Sequence, residues 1–425
     1  MRGAADRRPV RMSPLGDGLA RTVIGGLAAL LLLPAPGLAQ IGAASVQIPE
    51  NQPPDAPIQF GPLYLSPSFE LRDIGFDNNV FNDDAEERDF TATPSATMQT
   101  NLLAGPLRLT GGINTDYIWY RTFSSERSVN SRFDLMLEGF FDRYRPWVSG
   151  AFVRTRAREG FEIDARAQRT EPTLRGGLDW VVGSRTALAF STERRRKRFA
   201  ELEQFQGANL SEQLDNTTEV YTTGLRFELT PLTMLLVDAE YTVASFDGVS
   251  VRDSEAWSML PTLRFQPDAY ISGELMVGYK TLTPDNPTLV GYAGIVARGN
   301  LTFSLLDITQ FAIELERDTE YSSDELHPYY VQTGAEITIT QRIGGPFDVR
   351  LVGGRYELAY RDLPDPILGP RGTEQRTTAG VGVGYRLGQT IRFGVNGQFE
   401  NRRSTLRPER DYDRTVYYAS ISYLL

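Results

Sequence analysis

Residues 90–102 read FTATPSATMQTNL. Successive side chains of an extended strand point to opposite faces. Phe90, Ala92, Pro94, Ala96, Met98 and Leu102 therefore share one face, and Thr91, Thr93, Ser95, Thr97, Gln99 and Asn101 share the other. One face suits hydrocarbon and the other suits water. The same division recurs in 107–119, 217–229, 235–243, 257–265, 271–279, 293–305, 329–339, 377–387, 391–399 and 415–425, and no sustained helical period competes with it past residue 60.

Punctuation is equally regular. Short turns are expected near Gly105-Pro106, Arg143-Tyr144, Gly183-Ser184, Pro231, Pro267-Asp268, Asp307, Gly344-Gly345 and Gly388-Gln389. Longer polar connections alternate with them, from 73–88 through 157–167 and 197–215 to 403–413. Eight short turns and nine long loops join 18 strands, an even number, as termini on the same side require. Strands of about 10–13 residues exceed the usual soluble length of about 5–6 and match a tilted crossing of a bilayer. A soluble sandwich of this length would split into domains, yet the alternation runs on without a linker. In hydrocarbon every backbone N–H and C=O needs a partner, so a sheet there must close on itself. The expected fold is all-β: a closed, transmembrane, antiparallel up-and-down barrel of about 18 strands.

Composition narrows the function. The 425 residues carry a net charge of -10, no Cys and a single His, His327. Disulfide scaffolds, thiolate metal sites and cysteine nucleophiles are excluded, and nucleic-acid binding is disfavoured by the acidic balance. Arg2, Arg7, Arg8, Arg11 and Arg21 precede the one long apolar run, TVIGGLAALLLL at 22–33, and Gly37 and Ala39 are placed for signal-peptidase cleavage. Residues 1–39 thus read as a signal peptide, 40–60 as a Pro-rich periplasmic segment too short for a plug domain, and 61–425 as the barrel. Tyr117, Trp119, Trp180, Tyr221, Trp257, Tyr279, Tyr329, Tyr385, Tyr417 and Tyr423 are expected on the outer face as aromatic girdles.

The opposite face would line the bore. Arg132, Arg154, Arg156, Arg175, Arg226, Arg264, Arg298, Arg350, Arg376, Arg386 and Arg392 are candidates for a lumen charge ring. They are either cross-strand partners of carboxylates that stiffen a hydrated wall or a ring that selects anions. The run Arg194, Arg195, Arg196, Lys197, Arg198 is a candidate basic rim at a mouth, with a solvated strand end or contact with lipopolysaccharide phosphates as its other readings. His327 sits beside Ser323 and Asp324 in a loop, which leaves a hydrolytic barrel as a minor alternative, an exposed loop His being the plainer expectation. Asp77-Asn78-Asn79 and Asn82-Asp83-Asp84 concentrate oxygen ligands but lack EF-hand spacing, so no metal is assigned. Gly380, Gly382 and Gly384 alternate within a strand, open no helix, and so form no nucleotide loop.

LSPSFELRDIGFDNNVF at 65–81 contains Gly75, Phe76, Asp77, Asn79, Val80 and Phe81 in the pattern G-[FY]-D-x-N-[VL]-[FY]. It resembles the first strand and loop of the outer-membrane β-barrel porin family often encoded beside exopolysaccharide export systems. The resemblance implies a place in the outer membrane of a Gram-negative bacterium and polysaccharide traffic with periplasmic export components, and it supplies no catalytic residue or cofactor. The terminal segment TVYYASISYLL at 415–425 resembles the strand read by the outer-membrane assembly machinery, with Leu425 where Phe is usual. A channel for hydrophilic solute or exported polysaccharide is the expected function. A non-conducting assembly or adhesion barrel is the chief alternative.

Overall fold

The computed structural model describes residues 56–425 apart from 249, 267–269, 307, 325, 362–371, 406 and 425. The expected signal peptide, most of the Pro-rich segment, the turns at Pro267-Asp268 and Asp307, and Leu425 lie outside the described residues. Eighteen strands form the wall: β1 (Leu63–Asp77), β2 (Asp89–Ala104), β3 (Leu107–Tyr120), β4 (Ser128–Gly139), β5 (Tyr144–Thr155), β6 (Arg169–Gly183), β7 (Thr186–Phe199), β8 (Asn216–Thr230), β9 (Thr233–Phe246), β10 (Ser254–Phe265), β11 (Ile271–Pro284), β12 (Tyr292–Leu305), β13 (Thr309–Tyr321), β14 (Tyr329–Gly344), β15 (Phe347–Arg361), β16 (Thr373–Leu387), β17 (Ile391–Ser404) and β18 (Tyr412–Leu424). Each pairs antiparallel with its sequence neighbours, and β1 pairs with β18, so the sheet closes. The expected strand count and closure are both found.

Residues Ile58–Phe60, expected in the periplasmic segment, instead form an extra strand on Leu63–Leu65. The reason is an exposed edge: β1 meets β18 only from Ser68 onward, so the foot of β1 has no partner on that side. The extra strand covers that stretch.

The outer face is apolar as the alternation requires. Phe133, Leu135, Phe152, Leu174, Phe190, Leu225, Phe227, Val277, Ile295, Leu351, Val381 and Val395 are all exposed, which in water would be an aggregation surface and in a bilayer is the lipid contact. Tyr117, Trp180, Tyr221, Trp257, Tyr279, Tyr385, Tyr417 and Tyr423 join them outside, and Trp119 lies half-buried under the Arg127 guanidinium.

Tyr329 departs from this expectation, being only 4% exposed. The β12–β13 ladder stops at Ala297 opposite Arg317, although β12 continues back to Tyr292 and β13 on to Tyr321. Beyond that point the two strands part. Tyr329 and Val331 fill the seam together with Ala256, Leu282, Tyr292 and Val296. The Tyr329 hydroxyl donates to the Val290 carbonyl, and the Arg317 Nε donates to the Ile295 carbonyl at 3.2 Å, so side chains take over where the backbone ladder ends.

Candidate functional site

Cross-strand register decides which candidate arginines face inward. Arg132, Arg175, Arg226, Arg264, Arg298, Arg350, Arg376, Arg386 and Arg392 do, but they do not form a free ring. Arg175 meets Glu193 at 2.6 Å, Arg376 meets Glu400 at 2.6 Å, Arg264 meets Glu274 at 3.4 Å, and Arg226 is paired with Asp238. Arg132 and Arg298 lie 3.8 Å from Asp134 and Asp318. Asp348 holds both Arg392 at 2.6 Å and Arg386 at 3.4 Å. Gly384 makes room for that trio, because a Cβ there would stand 2.5 Å from an Asp348 oxygen. Arg350 is the member of this set with no carboxylate within ion-pair distance among the described residues. The wall is therefore mostly one of neighbouring opposite charges.

Two candidates are misplaced by the sequence reading. Arg154 shares the outward face of β5 with Phe152 and is exposed; the alternation continues one step further than a lumen role allows. Arg156 lies past the end of β5, where it donates to the Ser125 carbonyl and sits 3.8 Å from Glu203. The run 194–198 is likewise split by strand geometry rather than gathered into one rim. Arg194 and Arg196 turn outward beside Thr192, whereas Arg195 and Lys197 turn inward, Lys197 pairing with Glu159. Arg198 is held by Asp215 and Asp247.

The most organised charged site is one the sequence reading did not find. The loop 156–168, between β5 and β6, reaches residues of β14, β15, β16 and β17. In a ring of 18 strands, partners nine apart are diametrically opposite, so this loop forms a crossbar over the full width of the bore. Phe161 stacks on Tyr356 with ring centroids 4.2 Å apart, and the Arg376 guanidinium lies over the Phe161 ring, 4.6 Å from its centroid. Glu162 is 1% exposed. Its carboxylate accepts from the Ser322 hydroxyl at 2.5 Å, the Ser323 amide at 3.2 Å and the Tyr360 hydroxyl at 3.4 Å. Its carbonyl accepts from Arg410, and Arg410 and Arg402 converge on Glu374 while Arg402 also reaches Asp164 at 2.6 Å. Burial pushes the Glu162 carboxyl up, with Arg410 opposing the shift.

Other long loops lock onto the crossbar. Ile163 packs with Phe205, Leu210 and Leu214 of the loop 200–215, whose helix α1 (Leu210–Leu214) is capped by the Asn209 side chain. Arg252 donates to Gln213 at 2.7 Å and to the Ser322 carbonyl at 3.0 Å, and Arg407 is paired with Asp324. His327, expected exposed, is 6% exposed, since its Nδ1 lies 2.8 Å from Asp324 and its ring meets Tyr360 edge-on. The available signal was Phe161 and Ile163, two large apolar residues in a loop that water alone would leave polar.

The G-F-D-x-N-V-F segment sits elsewhere, at the closure of the wall. A Cβ on Gly75 would lie 1.8 Å from the Tyr417 carbonyl oxygen, so only glycine lets β1 and β18 approach there. Asp77 takes Arg414 in a two-point contact at 2.9 and 2.6 Å. The Asn79 amide donates to the carbonyls of Asp83 and Asp413, and Val80, fully buried, gives its carbonyl to Arg158. Phe81 meets Phe123 edge-on at 4.9 Å, while Phe76 stays outside against Phe90. The oxygen-rich segment is therefore engaged by arginine and amide groups.

Comparison with known proteins follows this architecture. No curated protein matches the chain in sequence. Among solved structures, the chain is similar to the outer membrane protein OpdK of Pseudomonas aeruginosa (TM-score 0.47, 9% identity, covering 85% of this chain and 98% of that one). It is also similar to the siderophore receptor PirA of Pseudomonas aeruginosa (TM-score 0.41, 11% identity, 88% and 81%) and the FrpB iron transporter of Neisseria meningitidis (TM-score 0.41, 10% identity, 80% and 62%). The chain thus spans about three fifths of the length of FrpB. The family model described as "Putative beta-barrel porin 2" matches residues 56–423, nearly the whole described barrel. With its closed 18-strand wall and apolar outer face, the chain belongs to this family of β-barrel porins.

Proposed function

We propose that the protein is an outer-membrane channel that passes hydrophilic solute, exported acidic polysaccharide included, along a charged and mildly basic inner wall. The carrying observation is an inner wall of Arg and neighbouring carboxylates with positive charge left over, since Asp348 is shared by Arg386 and Arg392 and Arg350 has no carboxylate at ion-pair distance among the described residues. Such a wall offers a passing hydroxyl or carboxylate many exchangeable contacts and no deep trap, which conduction requires. The crossbar sets the aperture at the long-loop end. The test is flux into liposomes of neutral and anionic sugars of matched size. Faster entry of the anionic sugar is expected, and equal entry of both overturns the selectivity.

A second reading is favoured by the interlocked loops: a barrel held shut by the Glu162 network and used as an assembly or adhesion platform. Planar-bilayer recordings separate the two, because a platform gives no conductance steps. We assign no catalysis to the chain. His327 is packed inside the loop assembly, against Asp324 and Tyr360. Delivery to the membrane is assigned to the assembly machinery acting on β18.

A further inference from the structure

We propose that the outer surface of β5–β7 binds the phosphates of lipid A in the outer leaflet through Arg154, Arg194 and Arg196. Their direction comes from the wall: Arg154 lies on the face of Phe152, and Arg194 and Arg196 on the face of Phe190. Their height comes from the aromatic row Tyr221, Tyr241 and Trp257, cross-strand partners whose centroids are 6.4 and 4.7 Å apart. Rings so arranged mark the level where hydrocarbon gives way to headgroups. Tyr221 is opposite Thr192, so Arg194 and Arg196 stand two and four residues further toward the long loops. Each two-residue step advances the chain by about 7 Å. That is headgroup depth on the side that carries the long loops, the outward side of a bacterial barrel.

The groups form a trough. Thr170 of β6 is opposite Arg154 on one side and Arg198 on the other, with Pro172 next along its outward face. Arg154 therefore faces Arg198 across β6 at two strand spacings, roughly 10 Å, and Arg196 and Arg194 follow two and four residues further along β7. Guanidinium groups grip phosphate in two-point geometry and lose little hydration in doing so.

Several outward arginines elsewhere on the rim are engaged within the protein. Arg317 donates to Thr333, Arg355 to Gln375, and Arg403 is paired with Asp413. Arg154 and Arg196 have no acidic partner among the described residues, and Arg194 has only Glu219 at 3.5 Å, both side chains open to solvent. Excess positive charge, trough width and depth together fit a phosphorylated glycolipid headgroup.

The experiment uses the full-length chain purified in a neutral detergent and titrated with bisphosphorylated lipid A and with its phosphate-free form. At least tenfold tighter binding of the phosphorylated form is expected, weakening as salt rises. The triple variant Arg154→Gln, Arg194→Gln, Arg196→Gln should lose that preference, while Arg317→Gln with Arg355→Gln should keep it. Retained preference in the triple variant overturns the proposal. So does competition by a soluble acidic polysaccharide at matched charge, which would make the patch a polymer-docking surface. Heat-modifiable gel migration establishes that each variant is folded. Conductance of the triple variant keeps this result separate from the channel reading, since loss of lipid binding with intact conductance concerns the patch alone.

Discussion

Removing the crossbar's grip on the far wall should change the conductance of the protein without dismantling its wall. The perturbation is Phe161→Ala with Glu162→Ala. The first removes a ring that contacts both Tyr356 and the Arg376 guanidinium; truncating a well-packed Phe costs about 3–5 kcal/mol. The second deprives the Ser322 hydroxyl and the Ser323 amide of their acceptor in a buried site, and a buried donor left without an acceptor costs about 1–3 kcal/mol. The two residues are adjacent, so their effects overlap and the sum overstates the loss. A joint figure of about 4 kcal/mol lowers the docked-to-undocked ratio roughly a thousandfold, at 1.4 kcal/mol for each factor of ten. In planar bilayers the variant should show larger and noisier single-channel steps than the parent, with its strand content by circular dichroism and heat-modifiable migration unchanged. Identical step sizes in the two proteins would refute the argument that this loop sets the aperture.

Three further outcomes follow from other parts of the molecule. Gly75→Val should abolish recovery of folded, heat-modifiable protein, because even a Cβ at that position overlaps the Tyr417 carbonyl; normal assembly would show that the closure tolerates a wider gap. Asp348→Asn leaves Arg386 and Arg392 without the carboxylate they share, so the reversal potential under a salt gradient should move toward anion preference, and no movement would place this trio off the conduction path. Acidification should strengthen crossbar docking: burial raises the Glu162 carboxyl above the usual glutamate range, so the docked loop takes up a proton more readily than the free loop. Docking is then strongest below the free-loop glutamate value and weakens as pH climbs from there through the raised one. Conductance should fall in the parent as pH is lowered through the Glu162 titration and stay level in Glu162→Gln.

The wall was legible in the sequence because it obeys a rule local to each strand. Phe90–Ala92 or Phe227–Leu229 declares its face within a few residues, and turn residues such as Gly105-Pro106 count the strands. The crossbar was not legible in that way. Glu162 meets Ser322, Tyr360 and Arg410 across 160, 198 and 248 residues of chain, and no period carries that information. Side-chain direction failed where strands end or separate. Arg156 lies one residue beyond β5, Tyr329 sits where β12 leaves β13, and both follow loop packing instead of the pleat. The run 194–198 is the reverse case: five consecutive basic residues suggest one patch, and the pleat divides them between two sides of the wall.

The joint at Gly75, Asp77 and Arg414 also has a bearing on how the molecule comes into being. Its partners are 337 residues apart in the chain, whereas every other wall contact joins neighbouring hairpin strands. Loop-closure entropy defers so remote a meeting until the intervening strands are already in register. The Gly75 approach, the two-point ion pair and the Asn79 bond to the Asp413 carbonyl therefore wait for that meeting. A nascent barrel that has mispaired anywhere along its length brings the wrong register to that joint and finds a carbonyl where a hydrogen should pass. The side chains that complete the cylinder are thus the ones whose contacts require every intervening strand to hold its register.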